Sequence, residues 1–243
     1  MPKLESIQKT IKVFADTASL ADIADAIRLP FVRGVTTNPS LIRKAGVDDY
    51  PEFVRLAISL VGDLPISFEV IADSHEEMQK QAMWLSEQGP NVYVKIPVMN
   101  TKGESTLPLV KELCEAKIKL NVTAVFTFKQ IDDFSDVLSR FAVPSILSVF
   151  AGRIADTGRD CTEYVRYAYS KSHQAPIAVL WASAREVYNV IQARDSGAHI
   201  ITLFPEFIRK MVALLDKDLN QFSLETVRMF YDDAVESGLD LKL

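Results

Sequence analysis

Glycine, histidine and cysteine are all scarce in this 243-residue chain, which has nine, three and two of them. So few glycines, beside eleven prolines and no repeat, exclude a low-complexity or collagen-like polypeptide. Cys114 and Cys161 stand far apart and outside any Cys-x-x-Cys spacing, as expected of free thiols in a reducing cytoplasm. His75, His173 and His199 have no second His or Cys at ligand spacing, so neither a metal nor another cofactor is expected. No apolar run reaches the roughly 18 residues of a membrane span. Residues 1–12 mix Lys, Glu and Gln without an apolar signal core, so the expected location is cytoplasmic. A formal net charge of −5 argues against nucleic acid or an anionic membrane surface as partner. A small anionic substrate held by local arginines remains open.

At 48% hydrophobic and 24% charged, the chain has the material for one sizeable core. Short runs rich in Val, Ile and Phe at 11–16, 31–37, 66–72, 91–97, 119–125, 145–151, 176–182 and 199–205 read as strands covered on both faces. Amphipathic patterns at 74–88, 104–116, 128–141 and 184–196 read as helices between them. Ser74 and Glu77 have capping-box spacing, Gly89-Pro90 ends that helix, and Gly197 ends the last. Eight βα units without a break in composition predict an α/β fold, a single (β/α)8 TIM barrel over residues 1–243. An open doubly wound sheet is the alternative, but no Gly-x-Gly-x-x-Gly follows any strand. Further helices at 207–215 and 224–237 predict a C-terminal extension from about residue 206, packed on the barrel or on a neighbouring subunit.

One residue conflicts with its surroundings. Lys95 lies in the apolar run Asn91-Val92-Tyr93-Val94-Lys95-Ile96-Pro97. Burying a lone ammonium is costly enough to favour its neutral form, and a neutral amine is the nucleophile of Schiff-base chemistry. Alternation puts Val92, Val94 and Ile96 on the face under the helices and Lys95 inside the barrel. Other strand ends carry comparable groups: Asp16-Thr17, Thr36-Thr37-Asn38, Glu69, Asn121 with Thr123, Ser148 with Phe150, and Ser183. Arg153 and Arg185 follow strands six and seven, where barrels often hold phosphate. Singly, each has an ordinary explanation, such as a helix cap for Asp16 or Asn38 and a surface position for Glu69 or the arginines. Jointly, they describe a closed site with one amine and two carboxylates for proton transfer.

These residues stand in stretches that resemble the transaldolase family, which includes fructose-6-phosphate aldolases. The stretches are Val13-Phe14-Ala15-Asp16-Thr17, Gly34-Val35-Thr36-Thr37-Asn38-Pro39-Ser40, Val94-Lys95-Ile96-Pro97, Asn121-Val122-Thr123-Ala124, Ser148-Val149-Phe150-Ala151-Gly152-Arg153 and Ala182-Ser183-Ala184-Arg185. The resemblance implies metal-free transfer of a dihydroxyacetone unit from a ketose phosphate to an aldose phosphate. Lys95 would form the Schiff base, Asp16 would handle the C4 hydroxyl proton, and Glu69 and Thr123 would hold the catalytic water. Asn38, Asn121 and Ser148 would bind donor hydroxyls, with Thr36, Phe150 and Ser183 also at the substrate; Arg153 and Arg185 would bind phosphate. Aldolase relatives carry Gln and Tyr where Glu69 and Phe150 stand, so these two favour the transferase. Val149, Trp181 and Ala184 depart from the family pattern near the anion end, which keeps a sulfonated or other modified sugar as an alternative. Another class of reading is a catalytically silent barrel that binds sugar phosphates. Sugar phosphates are the expected partners, together with further copies of the chain: shorter members of the family tend to form pentamers or decamers, longer ones dimers.

Overall fold

The computed structural model describes residue 7 and residues 9–172 and 175–241; His173 and the segment 1–6 lie outside them. The eight strands are β1 Lys12–Asp16, β2 Val32–Thr36, β3 Ile66–Glu69, β4 Val92–Pro97, β5 Leu120–Val125, β6 Ser145–Val149, β7 Ile177–Trp181 and β8 Ile200–Leu203. Each runs parallel to the next, and β8 pairs with β1 to close the barrel. The helices are α1 Leu20–Ile27, α2 Pro39–Lys44, α3 Tyr50–Val61, α4 His75–Glu87, α5 Leu107–Glu115, α6 Phe128–Leu138, α7 Ala151–Ala155, α8 Cys161–Ser172, α9 Asn189–Asp195, α10 Pro205–Leu214 and α11 Leu219–Glu236. The (β/α)8 barrel expected from the sequence is the fold of this chain.

Two helices begin later than their periodicity predicts, each for a local reason. Before α5, Asn100 Oδ1 accepts the backbone N–H groups of Lys102 and Glu104, and Met99 bridges Ser105, so residues 99–105 form a small hairpin. Before α9, Ser183 takes a left-handed backbone (φ 63°), and Asn189 Oδ1 accepts the N–H groups of Arg185 and Glu186. Those bonds hold 183–188 as a loop beside the site. At α4, Ser74 caps Glu77 N–H, but its hydroxyl also donates to the Glu77 carboxylate, so the reciprocal half of the box is not made. The full reciprocal box sits at α6, between Thr127 and Gln130.

Alternate strand residues divide the apolar core. Val13, Ala15, Val94, Ile96, Val122, Val149 and Val179 face the helix layer, while Phe14, Ile146, Leu180, Ala182 and Ile200 fill the barrel interior. Trp181 belongs to the helix layer and is fully buried there. Its bulk therefore packs under the helices and not in the barrel interior, because β7 offers its even-numbered positions to the interior. Phe14 needs the absence of a side chain opposite it: a Cβ on Gly34 would stand 2.6 Å from the Phe14 ring.

Packing at that contact is a direct test of the barrel interior. Gly34→Ala should destabilise the protein by about 1–3 kcal/mol through overpacking. Phe14→Leu in the same chain should recover part of the loss, so that the double variant is more stable than additivity allows. Denaturant titration of the two single variants and the double reads this coupling, and strict additivity would exclude the contact.

Candidate active site

Strand register assembles the charged centre. Glu69 pairs with Lys95 across β3 and β4, and Lys95 pairs with Asn121 across β4 and β5. Lys95 Nζ lies 2.8 Å from Glu69 Oε2 and donates to the Thr37 carbonyl at 2.7 Å. Its side chain is 7% exposed and that of Glu69 17%, so this ion pair is largely desolvated. Removing one partner from such a pair strands the other charge, which typically costs about 3–5 kcal/mol. The Tyr50 hydroxyl donates to the Glu69 carbonyl at 2.9 Å and secures the end of β3.

Asp16 closes the other side. It ends β1 opposite Thr36, whose hydroxyl donates to Asp16 Oδ1 at 2.7 Å. By surface area Asp16 is only partly buried, yet the protein packed around its carboxyl raises its pKa above the usual value. Desolvation is the largest cause; the Lys95 charge and the Thr36 hydrogen bond oppose it, and the Glu69 charge reinforces it.

A polar chain continues along the interior. Ser148 Oγ donates to Asn121 Oδ1 at 2.6 Å, and Asn121 Nδ2 donates to Ser67 Oγ at 3.1 Å. Thr123 lies in a β5 irregularity, beside Ala124 at φ 59°, and its buried hydroxyl has no hydrogen-bond partner among the described residues. A bulge of this kind re-aims a strand side chain, and an unsatisfied buried hydroxyl suits a bound water or substrate hydroxyl. Asn38 caps α2 by accepting the Leu41 N–H at 3.0 Å, which leaves its amide nitrogen with donor capacity.

The two arginines stand apart from this centre. Arg185 makes a forked pair with Asp156, Nε to Oδ1 at 3.3 Å and Nη2 to Oδ2 at 2.6 Å. Arg185 and Arg153 together hold the Asp156 carboxyl below its usual range, with the Arg185 hydrogen bond the largest cause. Arg153 lies over the Phe150 ring, 5.7 Å from its centre, and that ring packs on Phe126. Gly152 passes so close to the Ser183 loop that a Cβ there would stand 1.5 Å from the Ser183 carbonyl oxygen. A cavity of about 1000 Å³ opens from Asp16 outward between α1, α2, α3 and α10; Lys95 and Glu69 do not line it.

Of the residues expected from the sequence, Lys95, Glu69, Asp16 and Thr36 meet through direct contacts or charge, and Asn121 with Ser148 forms an adjoining pair. Arg153, Ser183 and Arg185 gather at the β6–β7 edge instead. Four participants escaped the sequence reading: the Thr37 carbonyl, Ser67, Asp156 and Thr202. Thr202 was discoverable, because strand alternation puts it on the same face as Ile200. Among the described residues, no three His, Cys, Asp or Glu side chains gather at metal-ligand spacing.

The sequence profile described as "Transaldolase/Fructose-6-phosphate aldolase" matches residues 13–241. The chain belongs to that family. A protein named probable transaldolase from Desulforudis audaxviator is 36% identical over 90% of this chain and 99% of its own length. Another of that name from Clostridium botulinum is 35% identical over 90% and 98%. Among solved structures, the deoxyribose phosphate aldolase of Aeropyrum pernix superposes with a TM-score of 0.58 at 14% identity, covering 88% of this chain and 94% of its own; that likeness concerns the fold alone. Membership in the transaldolase/fructose-6-phosphate aldolase family makes the chain an enzyme, of a group whose general chemistry runs through a Schiff base.

The raised Asp16 pKa has a stability consequence of definite sign. The native state binds the Asp16 proton more tightly than the unfolded chain, so stability falls as pH rises from about 3.8 through the folded value. At neutral pH the ionised carboxylate is therefore a net cost. Asp16→Asn should raise Tm by on the order of 2–4 °C at pH 7–8. That gain should shrink as pH falls toward the ordinary aspartate range, which thermal denaturation across pH will measure; a gain growing toward acid would contradict the assignment.

Proposed function

We propose that the chain is a transaldolase that moves a dihydroxyacetone unit from a ketose phosphate, such as sedoheptulose 7-phosphate or fructose 6-phosphate, to an aldose phosphate. The observation that carries this reading is a lysine buried inside a closed barrel, with one carboxylate 2.8 Å away and a second beyond it. Lys95 would lose a proton, with Glu69 as the acceptor at hand, and attack the donor ketone. Loss of water from the adduct, managed by Glu69 and Thr123, gives the protonated imine. Asp16 then takes the proton of the C4 hydroxyl; the C3–C4 bond breaks, the aldose leaves, and its bonding electrons pass into the lysine-bound enamine. The enamine carbon attacks the acceptor aldehyde, Asp16 returns its proton to the new alkoxide, and water releases the product from Lys95.

Desolvation supports the assignment of Asp16, since a carboxyl whose pKa is raised by burial takes up a proton more readily than a solvated one. In the proposal, Asn38, Asn121 and Ser148 hold donor hydroxyls and Arg153 and Arg185 hold the terminal anion, with Thr36, Phe150 and Ser183 completing the wall. An incoming phosphate would share or displace the Asp156 carboxylate on Arg185. Phe150 favours transfer over simple cleavage, because a phenyl ring offers no hydroxyl to place a water at the enamine. A fructose-6-phosphate aldolase reaction and a sulfonated donor are the competing substrate readings. The proposal treats residues 1–243 as one barrel domain with a helical extension from about residue 206, working on soluble sugar phosphates. No described helix is long and apolar enough to cross a membrane.

Borohydride added with fructose 6-phosphate should leave a covalent three-carbon adduct on Lys95, located by peptide mass spectrometry. Lys95→Met should abolish it and lower transfer by at least about 10³-fold. Absence of an adduct in the parent enzyme would leave the silent binding barrel. Release of dihydroxyacetone without an acceptor, as fast as transfer, would identify an aldolase.

The proposal includes assembly of identical copies. Helix α11 has no buried residue, and Val227, Phe230, Tyr231 and Val235 are each at least 60% exposed along it. An apolar helix face of that length wants a cover, and the cavity beside Asp16, with Leu20, Leu41, Ala45, Phe53 and Leu56 in its walls, supplies apolar area on the same chain. Sedimentation velocity should show an oligomer, and Val227→Glu with Phe230→Glu should reduce it to smaller species; a parent protein that sediments as a monomer at micromolar concentration would remove this part.

A further inference from the structure

Resting on the reading of Asp16 as the acid–base group, one contact extends the machinery to a strand that the sequence shows as almost wholly apolar. Thr202, near the end of β8, is buried, and its Oγ1 lies 2.6 Å from Thr36 Oγ1. Thr36 is equally buried and donates its hydroxyl hydrogen to Asp16 at 2.7 Å. A hydroxyl has one hydrogen to give. With that hydrogen on Asp16, the short contact between the threonines is a hydrogen bond only if Thr202 donates and Thr36 accepts. The direction of the whole chain follows: Thr202 to Thr36 to the Asp16 carboxylate.

We propose that Thr202 is a positioning residue for the reaction, acting through Thr36 as the outer member of a reversible two-hydroxyl chain that follows the Asp16 proton. When Asp16 is ionised, both hydroxyl hydrogens point toward it. When Asp16 has taken the substrate proton, its own O–H donates to Thr36 and the Thr36 hydrogen turns to Thr202. Each protonation state then keeps a hydrogen bond to Thr36, so neither leaves the carboxyl group unpartnered on that side. Linked hydroxyls also polarise one another, which strengthens the bond that ends on the charge.

The other charges around Asp16 are fixed across this test. Lys95 on β4 and Glu69 on β3 act on it directly; Asp22 on α1, Lys44 on α2, Asp48 and Asp49 before α3, Glu52 on α3, and Glu206 and Arg209 on α10 line the cavity it opens into. None of them bonds Thr202 in the described structure.

Thr202→Val keeps shape and removes the hydroxyl. The acid limb of the kcat/KM profile for transfer should move upward by about half to one pH unit, since the ionised form of Asp16 loses support, and kcat should fall roughly 5- to 20-fold. Borohydride trapping of the donor on Lys95 should stay near the parent level at matched pH, because imine formation does not use this chain. Thr202→Ser should restore the parental profile, whereas Thr202→Cys, a weak donor of similar size, should resemble Thr202→Val and stands in for it if the valine variant does not fold. A profile for Thr202→Val or Thr202→Cys superimposable on the parent would overturn the proposal. So would a Thr202→Ser profile displaced as far as that of the valine variant, since packing rather than the hydroxyl would then be responsible. Failure of the parent enzyme to form any Lys95 adduct would instead overturn the underlying functional reading.

Discussion

The contact on which the site depends is the desolvated pair between Lys95 and Glu69, 2.8 Å apart near the top of the barrel interior. Its cost is set by burial: two charges leave water and recover the loss only through close geometry and further hydrogen bonds. The barrel supplies that geometry through register, because Glu69 stands directly across from Lys95 on the neighbouring strand. The Thr37 carbonyl supplies a second acceptor from the far side of Glu69, so the ammonium is held from two strands at once. Slipping either strand by one residue would turn Lys95 or Glu69 into the helix layer and leave the other unpaired. Closure of the sheet thus fixes the chemistry, since no edge remains at which the register could slip.

The two carboxylates near Lys95 lie within charge range of each other but differ in support. Glu69 faces the amine directly. Asp16 sits one step away, tethered by Thr36, and its desolvation outweighs the attraction of Lys95. One carboxylate is thus bound to the amine, while the other is held by a hydroxyl on a different strand. Here the division follows from strand order: β4 neighbours β3, which brings Glu69, whereas β1 reaches β4 only across the interior.

Much of this was legible in the sequence, and the residues show why. The eight strands announce themselves as short Val- and Ile-rich runs because parallel strands are apolar on both faces. Lys95 stood out for the converse reason, as a charge where that rule forbids one. Thr202 and Ser67 did not stand out, since a hydroxyl in a strand is ordinary and becomes informative only through a partner far away in sequence, as Thr202 and Thr36 are. The Asp156–Arg185 pair was illegible likewise, because α7 and the loop after β7 meet only once the barrel closes. Trp181 lies in the helix layer by strand parity, which its place at the end of β7 does not by itself reveal. Residues 184–188 continue the apolar spacing of a helix, while the bonds that prevent helix come from the Asn189 side chain.

The proposed anion end follows a different logic from the centre. Arg185 and Asp156 are about half exposed, so their pairing gains little stability and is open to exchange. A substrate phosphate brings more charge and more acceptor oxygens than one carboxylate, and the guanidinium has donors beyond the two that Asp156 engages. Under the proposed function, Asp156 therefore does not exclude an anion from Arg185, whose bonds to Asp156 run through Nε and Nη2 alone. The buried centre is specified by register and paid for in desolvation, whereas the rim is specified by one exchangeable ion pair on two loops. Under the proposed function, changes in substrate arise at the rim, around Asp156, Ala184 and Arg185, without disturbing the Lys95–Glu69 pair.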